Sequence, residues 1–151
     1  MKNLSLWQTI LATGLIAGTL DILAAIFLLA NGQAISILKY VASGAFGKAA
    51  LEGGNGMALW GLLFHFIIAM SWVILYFLAY PRIPFLKKNI FISAVIYGIV
   101  VWSVMNLVVL PITHIGLRPF NWLSVLKNMT ILCFCIGLPA AAFAQRFYQN
   151  K

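Results

Sequence analysis

Acidic residues are nearly missing from this chain. Of its 151 residues only Asp21 and Glu52 are acidic, and 8% are charged at all. A soluble globular domain has roughly a quarter of its residues charged, so a chain this poor in charge could not cover its own surface in water. The shortage of carboxylates also counts against an enzyme, as does the absence of HExxH, GxSxG and phosphate-loop motifs. Cysteine is scarce too. Cys133 and Cys135 lie two apart on an expected helix and point to nearly opposite faces, which excludes a helical disulfide and a joint grip on a metal. They read as small packing residues. A haem held by two histidines is disfavoured because His114 lies much shallower than His65. No cofactor is expected.

What the chain has is apolar length. Hydrophobic residues make up 64% of it, and its mean hydropathy is +1.03. Four runs, about 4–30, 57–80, 89–111 and 122–144, are long enough to cross a bilayer core, which needs roughly 20 helical residues. They show no alternation of period two, which disfavours a barrel. The first run follows Lys2 like a signal peptide, but it exceeds the usual h-region of about 7–15 residues, and Asp21 interrupts the region where cleavage would fall. It reads as a retained first helix. The sequence therefore predicts one domain over 1–151: an all-α integral membrane four-helix bundle.

Net charge is +8. The basic residues flank apolar runs with no basic-aromatic recognition module, so they suit anionic lipid headgroups and exclude nucleic acid as the expected partner. Four spans put both termini and the short loop PRIPFLKKN on one side. That side carries Lys2, Arg82, Lys87, Lys88, Arg146 and Lys151, against Lys39, Lys48, Arg118 and Lys127 on the other. The positive-inside rule then predicts cytoplasmic termini. Trp7, Trp60, Trp122, Tyr76 and Tyr80 are expected at the membrane interfaces, with His114 and Arg118 as loop anchors.

The connection at 31–56 is long for a structureless link. Ile35, Leu38, Ala42, Ala45, Phe46 and Ala49 follow helical spacing, while Ser36, Lys39, Tyr40 and Ser43 take the opposite face. A short amphipathic helical segment is expected at 33–51, lying in the outer interface and weakened at Gly44 and Gly47. Ser43, Gly44, Gly47, Lys48 and Glu52 are candidates for a gate or lid.

Asp21 is the anomaly. A carboxylate near a helix centre costs about 2.5–3.5 kcal/mol on insertion scales, so it should face other helices or water. It shares a stripe with Gly14, Ala17, Gly18 and Ala25, small residues that admit a neighbouring helix. The second run has a stripe of Gly61, His65, Ala69, Trp72 and Tyr76, and the third one of Ala94, Gly98, Trp102 and Asn106. Counted inward from their outer ends, Asp21 and His65 lie at matching depths of roughly 12–14 Å. Asn106, Lys127 and Asn128 share that outer half, while the inner half is almost purely apolar. Asp21, His65, Asn106 and Lys127 are thus the candidate polar pocket. The alternatives are structural: an ion pair of Asp21 with Lys127, Lys48 or His65, helix-joining hydrogen bonds at His65 and Asn106, and a Lys127 that snorkels to headgroups. Pro111 and Pro139 free the carbonyls of Leu107 and Cys135 and predict a break or kink near each.

The stretches AGTLDILAA, YVASGAFGKAALEGG, GLLFHFIIA, YGIVVWSVMNLVVLP and GLP cover most of the chain. Together they resemble a family of small four-helix bacterial inner-membrane proteins of uncharacterised activity. The resemblance implies a multi-pass bacterial inner-membrane location and marks Asp21, Ser43, Gly44, Gly53, Gly54, His65, Asn106 and Pro111 as motif positions. It implies no activity. Three functions remain. One is a small channel or transporter for a cation or proton-coupled solute, as a homo-oligomer because four short helices enclose little space. Another is a binding protein for a lipid or other amphiphile, and the third is a structural or assembly subunit.

Overall fold

The computed structural model describes residues 5–117 and 119–149. The described residues are mostly helical, and none of them forms a strand. Its helices are α1 (Leu6–Leu29), α2 (Ala34–Phe46), α3 (Lys48–Glu52), α4 (Gly56–Ala79), α5 (Ile90–Ile112) and α6 (Trp122–Gln149). α1, α4, α5 and α6 are long and apolar enough to cross a membrane.

Local chemistry sets the helix starts. Ser5 and Gln8 form a capping box ahead of α1, the Gln8 amide donating to Ser5 Oγ at 3.3 Å and Ser5 N–H to Gln8 Oε1 at 2.9 Å. Asn89 Oδ1 accepts from Phe91 and Ile92 at the start of α5, and Asn121 Oδ1 from Ser124 at the start of α6. The expected start of the first span at residue 4 lies outside the described residues. α6 runs past the expected end at 144 to Gln149. The apolar run stops at Ala144, but no breaker follows it, so the helix continues into polar sequence.

The prolines widen their helices. Leu110 N–H bonds to Met105 carbonyl and Leu138 N–H to Cys133 carbonyl, each five residues back. These π-turns, Met105–Val109 and Cys133–Gly137, both end two residues before a proline, Pro111 and Pro139. Each proline ring would collide with the carbonyl four residues back, and the wider turn relieves that. α5 thus continues through Pro111 to Ile112 instead of ending at it. A third π-turn, Ala25–Leu29, closes α1.

Packing follows the rule for helices surrounded by apolar solvent. Leu11, Leu15, Leu20, Leu59, Leu63, Ile67, Ile92 and Ile96 point outward, while Thr9, Thr13, Ala17, Ala69, Ser93, Ala94, Ala140 and Ala144 are buried. Small residues let the backbones approach, and large ones face the surroundings. The Gly14–Gly18 stripe of α1 meets Met70, Phe66 and Ala69 of α4. Around the bundle, α4 lies on α1, α1 on α6 and α6 on α5, while α2 lies on α4.

The end of the bundle holding the termini is sealed. Tyr76 hydroxyl and Ser93 Oγ hydrogen-bond in the core, Tyr97 hydroxyl donates to Trp72 carbonyl, and Tyr148 hydroxyl donates to Phe77 carbonyl at 3.0 Å. Tyr80 stacks on Tyr148 with centroids 5.3 Å apart. Tyr76 and Tyr80, expected near an interface, are packed between helices there: they are 0% and 2% exposed. Their hydroxyl or ring finds a partner on a neighbouring helix, which an interfacial position would not require. Trp7, Trp60 and Trp122 are exposed.

Candidate functional site

α4 and α5 are consecutive in sequence but each packs its backbone elsewhere, and a cavity of about 400 Å³ occupies the gap. Phe64, His65, Ile68, Ala69 and Trp72 of α4 form one wall, and Val101, Met105, Val109 and Leu110 of α5 the other. Asp21 of α1 and Leu132 and Ile136 of α6 form the back. Met105, Val109 and Ile136 belong to the two proline-associated π-turns, so the widened turns help shape the space. Ala45 and Ile67 are exposed members of the lining and mark a lateral mouth. Exposed Phe46 and Leu63 lie on the same two helices, so the surface around it is apolar.

Asp21 and His65 therefore line one cavity, as their depths suggested, but their contact is not a direct ion pair. His65 Nε2 lies 2.8 Å from the carbonyl oxygen of Gly18. A carbonyl only accepts, so Nε2 carries the hydrogen and donates it. In the neutral ring Nδ1 is then an acceptor. The imidazole can reach the α1 backbone because Gly18 has no side chain and Phe66 and Ala69 pack against that bare position. Neither the Asp21 carboxylate nor His65 Nδ1 makes a hydrogen bond among the described residues. On the far side of Asp21, Cys135 of α6 lies within its electrostatic reach. Cys133 turns the other way, its thiol toward Val95 carbonyl at 3.5 Å.

The other two expected pocket residues are elsewhere. Asn106 donates from Nδ2 to Trp102 carbonyl at 2.9 Å and lines a separate groove of about 800 Å³ with Gln33, Ser36, Asn121 and Asn128. Trp102, one step earlier on the same stripe, lines that groove too and Gly98 packs on Cys133, so the four-residue stripe of α5 faces α6 rather than His65. Lys127 is exposed and lines neither space. Its neighbour Asn128 ties back to Ser124 carbonyl at 2.7 Å.

The lid candidates divide similarly. α2 covers the end of the cavity with Tyr40, Val41, Gly44 and Ala45. It is anchored on both sides. Its Leu38 backbone meets Gly61 of α4, and Gly44 carbonyl accepts from His114 N–H at 3.1 Å. Gly47 breaks α2 from α3 with φ +62°, a conformation that favours glycine. Ser43 is buried and donates to Tyr40 carbonyl at 2.7 Å. The expected polar face of this segment thus turns partly inward, Ser43 into packing and Tyr40 toward the cavity, while Ile35 and Phe46 stay exposed. Lys48 and Glu52 are exposed and away from the cavity. Lys39 Nζ donates to Gly53 carbonyl. Arg118 lies outside the described residues. Thr113 is a cavity residue the sequence reading missed; its hydroxyl donates to Leu110 carbonyl and accepts from Ile115 N–H. Among the described residues no three His, Cys, Asp or Glu side chains gather as a metal site would need.

No family model, curated protein or solved structure matches the chain.

Proposed function

We propose that this chain is a multi-pass protein of the bacterial inner membrane, with both termini cytoplasmic, that binds a small amphiphile entering sideways from the bilayer. The observation that carries the reading is the cavity itself. Its walls are mostly apolar, its polar groups are few, and its mouth opens through an apolar flank at Ala45 and Ile67. Pockets of ~300–1,000 Å³ with few convergent polar groups are typical of small-molecule sites. The location draws on the apolar spans, the charge bias between loops and the family resemblance.

Transport of a cation or proton-coupled solute is the second reading, favoured by the carboxylate and imidazole that share the cavity. The buried Tyr76–Ser93 bond and the half-buried Tyr97–Trp72 bond below the cavity count against a pathway through one protomer. Native mass spectrometry separates these ideas from a purely structural role. Protein extracted gently from membranes should retain one small amphiphile, and Ala45→Phe, which narrows the mouth from an exposed position, should lose it without losing thermal stability. Equal retention by both proteins, or none by either, contradicts the proposal.

A further inference from the structure

We infer that the molecule bound in this cavity is a single-chain hydrophobic amine, its protonated nitrogen held between Asp21 and His65; the inference rests on the amphiphile reading above. It follows from a count of which hydrogen-bonding groups are already spent. The two wall side chains whose donors are assigned have used them on backbone: His65 Nε2–H on Gly18 carbonyl and the Thr113 hydroxyl on Leu110 carbonyl. The Trp72 indole N–H makes no hydrogen bond among the described residues, and neither do two acceptors, the Asp21 carboxylate and, in the neutral ring, His65 Nδ1. A ligand that satisfies these acceptors must bring donors.

Charge selects further. The described cations stay out of the space: Lys39 is turned to Gly53 carbonyl, and Lys48 and Lys127 are exposed and absent from the lining. An anionic head would meet Asp21 with none of the described lysines or arginines in the lining to balance it. An ammonium group would supply up to three donors to the carboxylate and Nδ1 and could lie against the faces of Trp72 and Phe64. A phospholipid amine carries its phosphate a few bonds from the nitrogen, which would bring an uncompensated anion to the same place. The cavity volume of about 400 Å³ lies at the low end of the ~300–1,000 Å³ usual for small-molecule sites, room for a head and a short stem with the tail leaving by the lateral mouth.

Isothermal titration of the full chain in detergent at neutral pH tests this with octylamine, octanol and octanoate, three probes with one tail. Octylamine should bind one to one and about ten- to a hundredfold more tightly than octanol, the gain expected for hydrogen bonds to an ionised group, with octanoate weakest. Asp21→Asn should erase the amine preference, bringing octylamine and octanol to within about twofold of one another. If that variant does not fold, the ranking in the unaltered protein still decides. Equal affinity for octylamine and octanol overturns the amine inference and leaves the amphiphile reading standing. Displacement of octylamine by phosphatidylethanolamine at equal concentration overturns the exclusion of phospholipid amines. Failure of all three probes to bind overturns both readings.

Discussion

The docking of α2 rests on one missing side chain. A Cβ added at Gly61 would lie 1.8 Å from Leu38 carbonyl oxygen and 2.6 Å from its carbon. Both are main-chain atoms of a helix, so no rotamer change relieves the collision. Restoring an ordinary 3.4 Å contact requires α2 to retreat by about 1.6 Å, the difference between 3.4 and 1.8. Overpacking of this kind costs ~1–3 kcal/mol, against which alanine regains up to ~1 kcal/mol of helix propensity over glycine. Gly61→Ala should therefore destabilise by up to about 2 kcal/mol and loosen the lid. Gly56→Ala is the control, since a Cβ there meets open space. Thermal unfolding in detergent compares the two. Thiol labelling of Ala42→Cys, in a background lacking Cys133 and Cys135, reads the lid directly, because Ala42 is 0% exposed while α2 is docked. Labelling should be slow in that background and at least tenfold faster once Gly61→Ala is added. If Gly61→Ala melts like Gly56→Ala and position 42 stays protected, α2 does not sit on α4 as described.

Other substitutions separate scaffold from site. Tyr76→Phe leaves the buried Ser93 hydroxyl without its partner and should lower stability by about 1–3 kcal/mol with octylamine affinity unchanged, checked by melting and titration on the same sample. Asn106→Leu removes only a bond within α5 and a groove residue, so titration should show octylamine affinity within about twofold of the original. A tenfold loss would mean that the two spaces act as one. Lys127→Ala alters an exposed side chain and should change stability by no more than about 0.5 kcal/mol in the same melts.

The spans were legible because apolar length and punctuation are local properties. Ser5, Asn89 and Asn121 cap helices where the apolar runs begin, and the glycine and alanine stripes of α1, α4 and α5 do face other helices. Depth matching brought Asp21 and His65 to one cavity because antiparallel neighbours with a common rise keep their register. It did not foresee that the imidazole would bond to Gly18 carbonyl, since a backbone acceptor leaves no mark in a pattern of side chains. Asn106 was misplaced for a different reason. Counting in fours did keep Trp102 and Asn106 on one face, but it does not say which neighbour that face meets, and it meets α6 instead of His65. Tyr76 and Tyr80 look like interfacial anchors near the end of an apolar run, and only the fold reveals Ser93 and Tyr148 beside them. The separation of α4 from α5, which makes the cavity, depends on which helices pack together and is not written in any one of them.

The claim on which the account depends is that the Asp21–His65 cavity is reached from the lipid side. Trp72 lines it, so a variant retaining Trp72 as its only tryptophan reports on access. In bilayers its fluorescence should be quenched by brominated acyl chains and hardly at all by aqueous iodide, and Ala45→Phe should reduce the lipid quenching. Strong iodide quenching with little effect of brominated chains would show a water-filled entrance and contradict the account.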